Sequence, residues 1–238
     1  MNCKNCNAEI KQNYCPNCGQ AAKIKRIDGQ YIAYEIGQVL NFERGFLFTI
    51  KELLIRPGEN VRTFISENRS RLVKPILFII VTSLIYSLIN HFFHIEEGYV
   101  NFEEIKQSAT VYIFQRIRDY YGYANIIMGI FIAFWTKLFF RKYNYNFFEI
   151  LILLCFIMGI GMLIYAIFAL VQGLTDIELM PIASIISVIY SAWAIGQFFD
   201  KSKFSNYVKA FFSYLLGFLT FSLTATLIGT LIDLIIKH

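Results

Sequence analysis

The chain has 238 residues, 56% of them hydrophobic and 17% aromatic, and carries a formal charge of +5. Its mean hydropathy of +0.50 lies far above that of water-soluble domains, so the composition excludes an ordinary soluble globular protein and indicates a polytopic membrane protein. The positive excess is too modest for a nucleic-acid binder and, beside apolar spans, suits anionic lipid.

Residues 3–18 read CKNCNAEIKQNYCPNC and set Cys3, Cys6, Cys15 and Cys18 as two C-x2-C pairs. Each pair predicts a tight knuckle whose backbone N–H groups support thiolates, and two facing knuckles close a tetrahedral sulfur shell with no open position. A pair of disulfides and a redox C-x-x-C are the rival readings. The redox motif needs a thioredoxin-like sheet that the sequence lacks, and structural zinc is the expectation for residues 1–20. Four thiolates and one Zn²⁺ leave a working charge of about +3. The opening residues are polar and cysteine-rich rather than an apolar run, so the N-terminus is expected to stay in the cytoplasm, where thiols remain reduced.

Residues 21–30, with Lys23, Lys25 and Arg26, have the polar basic character of a tether. Ile32, Ile36, Val39 and Leu40 then form an apolar stripe that predicts an amphipathic helix. Residues 42–75 organise the rest of the chain. Phe46, Ile50, Leu53 and Leu54, then Val61, Phe64 and Ile65, recur at helical spacing, with Lys51, Arg56, Arg62, Arg69, Arg71 and Lys74 between them. Pro57 and Gly58 break the pattern, which predicts two short amphipathic helices joined by an elbow and lying in the headgroup layer. Arg56, Arg62, Arg69, Arg71 and Lys74 are the expected contacts to acidic lipid. Alternatively, the arginines pair with Glu43, Glu52, Glu59 and Glu67 or cap helix ends against the bundle.

Five apolar segments follow, near residues 76–93, 124–140, 147–171, 182–199 and 210–236, the second close to the lower length limit for a span. With the N-terminus inside, 18 Lys and Arg fall on the inner side and four on the outer, which predicts a cytoplasmic N-terminus and an external C-terminus. Ile105, Ala109, Ile113, Ile117 and Tyr120 predict a further helix on the outer surface. Small or weakly polar residues line one face of each span, among them Ser83, Ser87 and Asn90; Asn125, Gly129, Ala133 and Thr136; Gly159, Ala166 and Ala169; Ser187, Ser191 and Ala194; Ser213, Gly217, Thr220 and Thr224. Because lipid offers no hydrophobic drive for helix association, close approach through such seams predicts a compact bundle.

Charge within the spans is sparse. Glu149, Lys137, Asp200 and Asp233 sit near span ends, within reach of headgroups. His91 and His94 with Asp233 form a weak metal-site candidate, and Cys155 reads as a packing residue. The chain has no phosphate-cradling glycine loop, nucleophile elbow or H-E-x-x-H, so no enzymatic activity is expected.

The CKNC and CPNCGQ knuckles, followed by GFLFTIKELLIRPG, VRTFI, an arginine pair and KP at the first span, resemble a bacterial membrane-protein family catalogued as domain of unknown function 3667. The matching positions are Gly45, Thr49, Leu53, Pro57, Gly58, Arg62, Arg71 and Pro75, and the resemblance covers residues 3–90. The five-span layout with an internal N-terminus is also similar to Yip-type membrane proteins. These likenesses imply architecture and a bacterial inner-membrane location. The expected fold is all-α, with a zinc ribbon at 1–20, a tether at 21–30, cytoplasmic amphipathic helices at 31–74 and a five-helix transmembrane bundle at 75–238. The expected function is that of a non-enzymatic membrane adaptor or accessory subunit, whose zinc ribbon contacts a protein partner and whose basic collar grips anionic lipid. A small transporter or channel is the alternative.

Overall fold

Two prolines fix where helices begin in the organising stretch. Pro57 and Pro75 each occupy the first helical position, where a missing N–H costs nothing and the ring pre-sets φ for the first turn. The structure, a computed structural model, describes residues 2, 3, 6, 8, 9, 15–18, 45–93, 95, 108–119, 121–175 and 177–236. Among these residues the α-helices are α1 (Phe46–Ile55), α2 (Pro57–Ser66), α3 (Pro75–Phe93), α4 (Ala109–Asp119), α5 (Tyr121–Phe139), α6 (Phe147–Thr175), α7 (Met180–Asp200) and α8 (Phe204–Ile236). A 3₁₀ turn, Arg141–Tyr143, lies between α5 and α6. The chain forms two units, Met1–Glu43 and Arg44–His238. The tether and the amphipathic helix expected at 21–40 fall outside the described residues.

Within the larger unit, α3, α6, α7 and α8 are long and apolar enough to cross a membrane by length and composition. The apolar stretch of α5, Tyr123–Phe139, is shorter. Helix α8 starts at Phe204, ahead of the apolar segment expected from residue 210. Asp200 accepts hydrogen bonds from the Ser202 N–H and hydroxyl, which closes a tight turn and restarts the helix before the apolar run begins.

The closest helix partners are α3 with α6, α5 with α8, and α7 with α8; α6 also packs on α5 and α7. The expected seams lie at these contacts. Asn125, Ala133 and Thr136 of α5 are buried, and the Thr136 hydroxyl donates to Ser213 Oγ of α8 at 3.3 Å. Trp135 Nε1 donates to Thr220 Oγ1 at 3.2 Å across the same interface. At Gly217 a Cβ would stand 2.6 Å from the Ile132 Cα, so only glycine lets these two backbones approach so closely.

Helix α4, expected on the outer surface from its apolar spacing, covers Ala109 to Asp119 and packs on the C-terminal part of α8. Asp233 of α8 explains the contact. Its carboxylate accepts hydrogen bonds from Ser108 Oγ at 2.6 Å, the Ala109 N–H at 2.5 Å and Thr110 Oγ1 at 3.3 Å. The first N–H groups of a helix lack internal partners and carry partial positive charge, so a carboxylate from a distant helix caps α4. Asp233 is thereby committed to structure rather than to a metal with His91, and His94 lies outside the described residues.

Candidate metal centre and basic collar

In the smaller unit, the Cys3 N–H donates to the Ala8 carbonyl at 2.9 Å, and Asn2 forms an antiparallel bridge with Glu9. These contacts fold the chain back around the first knuckle. Residues 16–18 form the turn of the second. Sulfurs from opposite knuckles then meet: Cys3 Sγ lies 3.5 Å from Cys18 Sγ, and Cys6 Sγ lies 3.5 Å from Cys15 Sγ. All four sulfurs fall within 4.8 Å of one another, and the cysteines are free thiols.

This donor set fits a tetrahedral ion. A Zn–S bond of about 2.3 Å gives sulfur-to-sulfur edges of about 3.8 Å, so the cluster needs only small adjustments to coordinate the metal. Backbone N–H groups of Cys18 and then Asn17 hold the Cys15 thiol below its ordinary pKa, and burial opposes them. Thiolate support by the knuckle backbone is therefore built into the turn. Four cysteines close together could hold a metal ion, and with all four positions supplied by protein no site remains for substrate.

The collar is built from a different chemistry. Along α1, Phe46, Thr49 and Leu53 are buried, and in α2 Val61 and Phe64 join them in the bundle core. Ring pairs continue this contact: Phe46 with Phe78 at 5.3 Å, Phe78 with Phe156 at 5.8 Å and Phe64 with Phe156 at 5.3 Å. The stripe expected to enter the headgroup layer thus packs on α3 and α6 instead, with Ile50 and Ile65 against the same core. Leu47, Leu54 and Ile55 form the exposed apolar face of α1. Periodicity identifies an apolar face but does not say whether protein or lipid covers it.

Each polar residue of the elbow has a defined task. Asn60 Nδ2 donates to the Glu52 and Arg56 carbonyls at 3.0 and 2.9 Å, a second bond at acceptors that already take the Arg56 and Asn60 backbone N–H groups, which ties α2 to the end of α1. The Thr49 hydroxyl donates to the Gly45 carbonyl and accepts the Val73 N–H, which ties α1 to the approach of α3. At Gly58 a Cβ would stand 2.3 Å from the Gln197 carbonyl carbon, so α2 lies directly against the backbone of α7. Tyr190 of α7 reaches the Leu53 carbonyl at 3.1 Å.

The five expected lipid contacts divide accordingly. Arg62 donates to the Gln197 and Phe198 carbonyls, each at 2.6 Å, and so caps the end of α7. Arg71 pairs with Glu52 at 3.0 Å and lies 5.9 Å from the Phe48 ring centroid, on neighbouring turns of α1. Arg56, Arg69 and Lys74 are exposed, without an ion pair to any described residue. Arg56 shares a cleft of about 270 Å³ with Glu59, Arg62, Gln197 and Lys201. The sequence offered helix-end capping as an alternative for the arginines, and Arg62 takes it. The carbonyl partners themselves carried no sequence signal.

No curated protein and no solved structure matches the chain. Residues 43–87, which hold the collar and most of α3, match the profile of a family described as Protein of unknown function (DUF3667).

Proposed function

We propose that the protein is a non-enzymatic integral membrane adaptor or accessory subunit, placed in a bacterial inner membrane by five spans, α3, α5, α6, α7 and α8. The N-terminal head is a structural zinc ribbon that contacts a cytoplasmic protein partner, and Arg56, Arg69 and Lys74 of the collar face anionic lipid. The observation that carries this reading is the closed shell of Cys3, Cys6, Cys15 and Cys18, which supplies every coordination position and leaves none for substrate. The bundle interior is consistent with it: among the described residues the buried polar side chains are hydroxyls and amides, with no Asp, Glu, Lys or Arg.

The test uses full-length protein purified in mild detergent without chelators. Wild type is expected to carry one zinc per chain and a stoichiometric protein partner, whereas Cys15→Ser loses both while the helical bundle melts at an unchanged temperature. Zinc-free wild type would remove the metal centre from the reading. Equal partner recovery with Cys15→Ser would remove the adaptor role from the head.

For orientation, a reporter active only outside the cytoplasm is expected to be silent at the N-terminus and active after His238. Activity at the N-terminus, or silence at the C-terminus, would reject the five-span layout. A second reading, a small transporter or channel, draws on α3, where Ser83 Oγ and Asn90 Oδ1 are buried without a hydrogen-bond partner. Solute flux in reconstituted vesicles that Ser83→Ala or Asn90→Leu abolishes would favour it over the adaptor.

A further inference from the structure

A groove of about 760 Å³ opens where the 3₁₀ turn after α5 faces the start of α8. Arg141, Lys142, Lys203 and Lys209 bring four cations to its lining. Nearby acids leave most of that charge unanswered. Asp200 pairs with Lys203 at 2.9 Å, and Glu149 accepts the Asn146 N–H at 2.7 Å while Asn146 Oδ1 accepts the Glu149 N–H in return. Arg141, Lys142 and Lys209 are exposed and have no ion pair among the described residues.

The groove is also firmly framed. Buried Asn206 donates to Tyr143 Oη at 2.8 Å and to the Asp200 carbonyl at 3.2 Å, locking the turn to the first turn of α8. Beneath the turn, Phe140 stacks on Phe199 at 3.8 Å. The cations are thus displayed from a braced support, which limits the ordering cost of binding. Leu138 and Phe139 add an apolar wall. One helical turn deeper, Phe134 on α5 and Phe212 on α8 are exposed and continue that wall along the bundle.

We infer that this groove is a binding site for one anionic phospholipid, its phosphate held by Arg141, Lys142 and Lys209 and an acyl chain lying along Leu138 and Phe134. Basic charge alone would suit a soluble phosphate equally well. The apolar wall running from the cations down the α5 and α8 surface selects the lipid. The site is separate from the metal centre and from the collar arginines, and it does not depend on the adaptor reading.

Native mass spectrometry of the full-length protein, released from detergent with added phosphatidylglycerol, tests the site. The triple variant Arg141→Gln, Lys142→Gln, Lys209→Gln is expected to lose retained phosphatidylglycerol at least tenfold, since each cation near an anionic headgroup changes affinity by about fivefold. Lys51→Gln, which removes an exposed cation on α1 that belongs neither to the groove nor to the expected lipid contacts of the collar, should lower retention less than twofold. Arg141→Lys, which keeps the charge, should retain the lipid. All these side chains are exposed, so the fold is not at risk. Unchanged retention in the groove triple, an equal loss with Lys51→Gln, or loss with Arg141→Lys alone would overturn the site. Displacement of the lipid by millimolar pyrophosphate would assign the groove to a soluble anion instead and overturn the lipid.

Discussion

Replacing Gly58 by valine is expected to detach α2 from α7 and to cause a large loss of thermal stability in detergent. The Cβ alone would lie 2.3 Å from the Gln197 carbonyl carbon and 2.4 Å from the Phe198 nitrogen. Those are backbone atoms of a helix, not the end of a flexible side chain, so α2 must move as a body. Overpacking usually costs about 1–3 kcal/mol, and a rigid backbone obstacle puts valine at or above the upper end. Alanine makes the sharper comparison. In an unobstructed helix, Gly→Ala gains about 1 kcal/mol, so the contact with α7 predicts the opposite sign. Scanning fluorimetry of Gly58→Ala and Gly58→Val measures both, and a Gly58→Ala protein that melts higher than wild type would refute the close approach. Cysteines introduced at Glu59 and Lys201, which line one cleft, should crosslink in wild-type background and lose that crosslink with Gly58→Val.

Arg62→Ala should produce the second large effect, a loss of about 3 kcal/mol. Its guanidinium satisfies two carbonyls at the end of α7, where intrahelical donors run out and the dipole is negative. A charged hydrogen bond contributes about 1.5–3 kcal/mol, and Arg62 is partly buried, which limits screening by solvent. Arg62→Lys keeps the charge but not the planar fork, so it is expected to recover about half of the loss. The contact is between protein groups, and the loss should appear at full size in neutral detergent. A loss seen only with anionic lipid would reassign Arg62 to headgroups. Because Gly58 and Arg62 act on the same two residues of α7, the double variant should cost less than the sum of the singles.

The sequence made the elements of this fold legible where one residue type has one physical consequence. Pro57 and Pro75 open helices, the small residues at Ala133, Ala166, Ser187, Ser191 and Ser213 are buried, and the cysteine spacing brings four sulfurs together. The collar was harder to read because its residues allow two environments. Phe46, Leu53 and Phe64 would suit lipid as well as protein, and Arg62 would suit phosphate as well as carbonyl oxygen. Which of these applies depends on α3 and α6 for the apolar stripe and on the end of α7 for Arg62, elements that lie elsewhere in the chain. The roles of Asp233 and Gly58 were hidden for the same reason: each depends on backbone atoms of another helix, whose positions leave no pattern in sequence. The positions on which the sequence resemblance rests, Gly45, Thr49, Leu53, Pro57, Gly58, Arg62, Arg71 and Pro75, all take part in the contacts or helix starts of the collar and its approach to α3.

Arg62 finds its carbonyl partners 135 and 136 residues later in the chain, and Leu53 receives the Tyr190 hydroxyl 137 residues later. A ribosome releases the chain from the N-terminus, so the collar emerges long before the surface it docks on. While α3, α5 and α6 are being made, Gly58 and Arg62 have no α7 backbone to meet. Only after α7 is complete can the elbow close, which makes its docking a late step of assembly and a readout of whether the preceding helices are in place. A chain arrested before Gln197 keeps that latch open, with the Arg62 guanidinium lacking both carbonyl partners. Such an intermediate differs from the finished protein in one feature, the undocked helix pair α1–α2.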